Sequence, residues 1–167
     1  MFAIGNGFVN SIHRQRGMSL LETMIAMVIF SVGTMGVASM MLTSMRNNDA
    51  TLSRTQSTVL ATEIYEKMLA NLQAAAAGNY DLSMNSGLPT STSLDCATTS
   101  ATCSPAQIAE WDMAMWGARA QRILPSADAS IGVDTSVDPM VIQVQVQFDA
   151  LMETAGVTTE TFTFRAR

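Results

Sequence analysis

The stretch Thr23–Met45, TMIAMVIFSVGTMGVASMMLTSM, decides the architecture, because its 23 residues include no charged side chain. As an α-helix it would extend roughly 34 Å, enough to cross a hydrocarbon core of about 30 Å. Thr23, Ser31, Thr34, Ser39, Thr43 and Ser44 dilute its apolar character, as do Gly33 and Gly36. The run is nevertheless too long for a buried helix of a soluble core, and it has a basic flank on one side. His13, Arg14 and Arg16 precede it, whereas Arg46 and Asp49 follow it and nearly cancel. That asymmetry predicts a single crossing with the N-terminus in the cytoplasm and the remainder outside. A secretory signal peptide would need a small-residue cleavage site after the run, and none is convincing beyond Met45.

The whole chain fits this reading. It has 167 residues, enough for one domain, and only 14% of them are charged, against ~25% in an ordinary soluble protein. The net charge of −5 disfavours nucleic-acid binding. His13 is the single histidine, so most imidazole chemistry is excluded. Glu22 stands out one turn inside the apolar segment. Acidic or basic groups at mid-membrane cost ~2.5–3.5 kcal/mol on the insertion scale, and less near its edge. One reading is a first-turn acid favoured by the helix dipole. The other is a partner of opposite charge within the membrane.

Arg16-Gly17-Met18-Ser19-Leu20-Leu21-Glu22, followed directly by the apolar run, resembles the class III signal of type IV pilins. The resemblance implies that a prepilin peptidase cuts between Gly17 and Met18 on the cytoplasmic side and methylates the new amine of Met18. Glu22 then becomes the fifth residue and pairs with the N-terminal amine of a neighbouring subunit during assembly. An intramolecular pair is the alternative. Met18 departs from the usual phenylalanine at the first mature position.

Beyond Met45 the pattern turns amphipathic. Leu52, Val59, Leu60, Ile64, Met68, Leu69 and Leu72 recur at helical spacing, and no proline interrupts Met18 to Ala77. One helix of roughly sixty residues is predicted, ended by Gly78-Asn79. Residues 79–103 read as loop. Ser104-Pro105-Ala106-Gln107 reads as a capped helix start, with Leu124-Pro125 as its end. On that helix Ile108, Trp111, Met115 and Ala118 share a face. In Val141–Phe148 apolar residues alternate with Gln143, Gln145 and Gln147, and Phe162 and Phe164 alternate with Thr161 and Thr163. These are half-buried strands, connected through Met152–Gly156, with Ile131 to Val133 as a short third strand. The expected fold is α+β and pilin-like, a long N-terminal helix packed on a small antiparallel sheet head. The corresponding domains are a leader at 1–17, a long helix at 18–77 with 18–45 in the membrane and 46–77 amphipathic, and a periplasmic head at 78–167.

Lys67-Met68-Leu69-Ala70-Asn71 and Gly78-Asn79-Tyr80 resemble the end of the first helix in PilV-type minor pilins. Ser104-Pro105, Ala109, Asp112, Trp116 and Leu124-Pro125 resemble the segment that follows. The resemblance implies a low-abundance subunit that helps initiate pilus assembly near the tip. Its implied partners are the prepilin peptidase, other minor pilins, the major pilin, the inner-membrane assembly platform and the lipid bilayer. The implied location is the inner membrane, with the head periplasmic, and then the pilus. A minor pseudopilin of a type II secretion system is the alternative.

Cys96 and Cys103, with six residues between them, fit neither a redox nor a zinc motif, and outside the cytoplasm they are expected to form a disulfide. No catalytic residue, cofactor or metal site is expected. Asp95, Asp128, Asp134 and Asp138 are acids in polar loops, and the Asp134–Asp138 spacing is not that of an EF-hand. Arg119, Arg122, Arg165 and Arg167 could form a basic patch. Without Arg14 and Arg16, however, seven basic residues face fourteen acidic ones, so no nucleic acid is expected. Trp116 lies about 140° around its helix from Trp111, so an exposed Trp116 is a candidate contact with another pilin.

Overall fold

The computed structural model describes residues 17–98, 102–124, 126–149 and 156–166. The basic flank, the Met152–Ala155 part of the connection, Pro125 and Arg167 lie outside them. The elements are α1 (Leu20–Ala70), α2 (Leu72–Ala76), α3 (Pro105–Ile123), β1 (Asp128–Asp134), β2 (Val141–Asp149) and β3 (Val157–Arg165). The chain divides into two compact units, residues 1–42 and residues 43–167.

In the first unit every described side chain is exposed, including Phe30 at 74% and Met35 at 75%. The hydroxyls that dilute the apolar run turn back onto their own helix. Thr23 donates to the Leu20 carbonyl at 2.8 Å, Ser31 to Val28 at 2.8 Å and Thr34 to Ser31 at 2.9 Å. A polar group satisfied inside its own helix costs far less in lipid than an unpaired one. The first turn begins at the Ser19 carbonyl, which accepts from the backbone amides of Glu22 (3.0 Å) and Thr23 (3.2 Å).

In the second unit the order of the sheet is β1-β2-β3, antiparallel throughout. Ile142, Val144, Val146 and Phe148 are buried and the glutamines between them point away, as the alternation predicts. Val144 stands between Ile131 and Phe162, and Ile142 between Val133 and Phe164. These rows form one apolar face, which joins Leu60, Ile64 and Met68 of α1 in a single core. Tyr65 stacks on Phe164 with ring centroids 4.3 Å apart and donates to the Arg165 carbonyl at 3.0 Å. The third strand is longer than expected, because β1 pairs with β2 over its full length, from Asp128 to Asp134.

The long helix does not run unbroken to Ala77. It stops at Ala70, and Asn71 takes φ −132° and ψ 54° before α2 begins. The cause is the Asn71 side chain, whose Nδ2 donates to the Pro105 carbonyl at 2.8 Å and to Tyr80 Oη at 3.3 Å. Gly78 then supplies the left-handed turn at φ +78°.

Ser104 caps α3 as expected. Its side chain accepts from the Gln107 amide, while the Gln107 side chain accepts from the Ser104 amide. The helix is rotated relative to the expected face. Ala109, Asp112, Met113, Trp116, Gly117 and Ala120 point inward, while Met115 is 41% exposed and Ile108, Trp111 and Ala118 are half-buried. Gly117 sets this phase, since a Cβ there would collide with the Pro89 carbonyl oxygen. Only glycine lets the 88–89 segment lie directly on the helix.

Candidate functional site

Two places carry polar groups in apolar surroundings. The first is the start of α1, where Gly17, Met18 and Glu22 lie within one exposed segment. Glu22 is in the first turn, where the helix dipole favours its charge. Residues 19–21 separate Met18 from Glu22, and α1 begins at Leu20.

The second lies in the head, where α1 ends against α3. Lys67 Nζ sits 2.7 Å from Asp112 Oδ1, and Tyr80 Oη donates to Asp112 Oδ2 at 2.9 Å. Asn71 continues the chain to Tyr80, and the ammonium of Lys67 lies 5.4 Å above the Trp111 ring. Asp112 is 7% exposed, so its charge is tolerated because both oxygens are partnered. Each of these residues except Trp111 belongs to the matching positions named above: Lys67 and Asn71 in Lys67–Asn71, Tyr80 in Gly78–Tyr80, and Asp112 by itself. The fold thus brings separate parts of that pattern into one cluster, whose evident role is to lock the end of α1 to α3. The sequence names these residues separately and does not show that they meet. The signal was Asp112, a charge on the same helix face as Ala109 and Trp116.

Burial raises the Tyr80 phenol pKa far above its ordinary 10.0; the Asn71 hydrogen bond opposes the rise, and the Asp112 charge and hydrogen bond add to it. The contribution is complete below the unfolded value and is lost as pH climbs towards the folded one. Between pH 10 and 11 the loss from this group is about 1 kcal/mol. Tyr80→Phe is therefore expected to be about 1–3 kcal/mol less stable at pH 7, since Asp112 loses a donor. It should also lose about 1 kcal/mol less than wild type between pH 10 and 11. Urea unfolding at both pH values checks this; parallel losses would remove Tyr80 from the alkaline transition.

The expected exposed contact at Trp116 is corrected. Trp116 is 0% exposed, and its Nε1 donates to the Leu60 carbonyl at 2.9 Å. Trp111 takes the outer position instead. Both faces of α3 are apolar enough to serve as core, and the choice falls to the side on which Gly117 admits close approach.

Cys96 and Cys103 form a disulfide with Cα atoms 6.0 Å apart. Asp95, Asp128 and Asp134 accept from nearby backbone amides, and the Ser136 hydroxyl and amide hold the Asp134 carboxyl below its usual pKa. Among the described residues no three metal-ligating side chains cluster. Arg119 faces Glu63 at 3.3 Å.

A long N-terminal helix with a small three-stranded antiparallel sheet defines the class: this is an α+β, pilin-like fold. Comparison with known families agrees. Residues 12–38 match the prokaryotic N-terminal methylation motif, and residues 39–114 match the family described as type IV pilin Tt1218. The two matches adjoin and support a pilin subunit. No curated protein and no solved structure matches the chain significantly.

Proposed function

We propose that the protein is a minor pilin of a type IV pilus, of the PilV type, which helps initiate assembly near the tip. It is made as a prepilin, anchored in the inner membrane by α1 with its head in the periplasm, cut by prepilin peptidase after Gly17 and methylated on Met18. Glu22 then pairs with the amine of a neighbouring subunit as the helix enters the filament. The observation that carries this reading is the methylation-motif match, which runs into an exposed apolar stretch at the start of α1 and a type IV pilin segment. The Lys67–Asn71–Tyr80–Asp112 cluster supports the finer assignment, because it is built from residues that carry the PilV-type resemblance.

A bulky residue at the cut site tests the processing step. Gly17→Val is expected to accumulate at full precursor mass in cells with active prepilin peptidase, while still fractionating with membranes. A Gly17→Val chain processed like wild type would dismiss the assigned bond. Cross-linking the full chain in its native membrane then identifies the machine. Pilus minor subunits among the products support the proposal, and secretion pseudopilins would replace it with the pseudopilin assignment.

A further inference from the structure

A groove of 370 Å³ lies in the head between one flank of α3 and the chain that precedes it. Leu82, Pro89 and Met113 give it apolar lining, and Asp81, Gln107 and Glu110 give it polar lining. Gln107, Glu110 and Met113 recur at helical spacing, so α3 contributes a continuous wall.

The walls are fixed from several directions. Leu82 exchanges two backbone hydrogen bonds with Ile131, at 3.0 and 2.9 Å. Pro89 lies on the backbone of Gly117. Thr92 donates to Glu110 Oε1 at 2.8 Å, and the Cys96 sulfur rests 3.9 Å from the Gln107 carbonyl oxygen. A groove held in this way is largely formed before anything enters it, which lowers the cost of binding.

Its charge is one-sided. Two carboxylates line it with no cation, and among the described residues neither Asp81 nor Glu110 forms an ion pair. The contrast is the groove lined by Val59, Glu63, Glu66 and Arg119, where Arg119 provides the cation from within the chain. A fitting occupant of the first groove has an apolar stem and a cationic head. Arginine and lysine have that form, since the stem covers apolar surface while the head meets carboxylates.

We propose that this groove receives an arginine or lysine side chain of a neighbouring pilin subunit. The identity of the partner rests on the pilin reading above, whereas the chemistry of the groove does not. One such contact is weak in water. It becomes effective when both subunits are anchored side by side, because the second contact is then intramolecular.

The test uses the full chain in detergent micelles, labelled on methionine methyls, with Nα-acetyl-arginine amide as probe. Nα-acetyl-norleucine amide serves as a probe with an apolar stem and no charge. The Met113 methyl resonance is expected to shift saturably, with a Kd on the order of 1–10 mM. Binding should weaken at least about fivefold with the uncharged probe, with added salt, and in the Asp81→Asn/Glu110→Gln double variant. A Met113 methyl unmoved at saturating probe, or shifted equally by both probes, would overturn the proposal. The two-probe comparison needs no variant, so it decides even if the double variant folds poorly. Neither result depends on pilus assembly, so failure here is distinct from failure of the pilin reading.

Discussion

Glu22→Leu is expected to insert into the membrane as well as wild type and to be nearly absent from filaments. The two halves of this result have separate causes. Insertion depends on the uncharged run from Thr23 to Met45, and leucine at position 22 lengthens it. Under the proposed function, incorporation depends on compensating the amine that cleavage would create at Met18. Removing one partner of a poorly solvated ion pair costs about 3–5 kcal/mol, because the other charge stays behind. That corresponds to a loss of roughly 100-fold or more in incorporation. Glu22→Asp keeps the charge and should recover part of the loss, whereas Glu22→Gln should not. Immunoblots of washed membranes and of sheared filaments measure the two steps separately. Wild-type incorporation of Glu22→Leu would remove Glu22 from the mechanism.

Trp116→Ala is expected to destabilise the head by about 3–5 kcal/mol, the usual range for emptying a buried aromatic site. Trp116 is fully enclosed, and the variant also loses the donor to the Leu60 carbonyl. The melting temperature should fall by roughly 10–20 °C for a unit of this size. Trp116→Phe keeps most of the packing but loses the hydrogen bond, and should cost about 1–2 kcal/mol. Trp111→Ala removes a half-buried ring and should cost less than Trp116→Ala. Near-ultraviolet circular dichroism of the full chain in detergent follows all three. The reverse order, with Trp111→Ala the more damaging, would mean that α3 faces the core with its other side.

That ordering also marks what the sequence could and could not reveal. The membrane-length run, the Ser104–Gln107 capping box and the valine–glutamine alternation of β2 are local patterns, and each forms as read. The phase of α3 is not local. Ile108, Trp111 and Met115 make as good an apolar stripe as Ala109, Met113 and Trp116. The second stripe even carries Asp112, which argues against burial until Lys67 and Tyr80 come into place. Gly117 is the one residue that marks the close-packed side in advance, and its reason is the distant Pro89. The break at Asn71 has the same character, because the hydrogen bond to Pro105 spans 34 positions. Of the candidate site, the Gly17–Glu22 signal was legible as a motif. The polar cluster in the head was legible only as separate matches whose meeting is a property of the fold.

The proposed function requires that this chain mature by cleavage ahead of Met18 and work as an assembled subunit. Intact mass together with N-terminal sequencing of the protein from its native membrane tests it most directly. The expected result is a chain that begins with N-methylated Met18. A chain that still begins at Met1, in cells whose prepilin peptidase is active, would contradict it and leave a plain single-pass membrane protein.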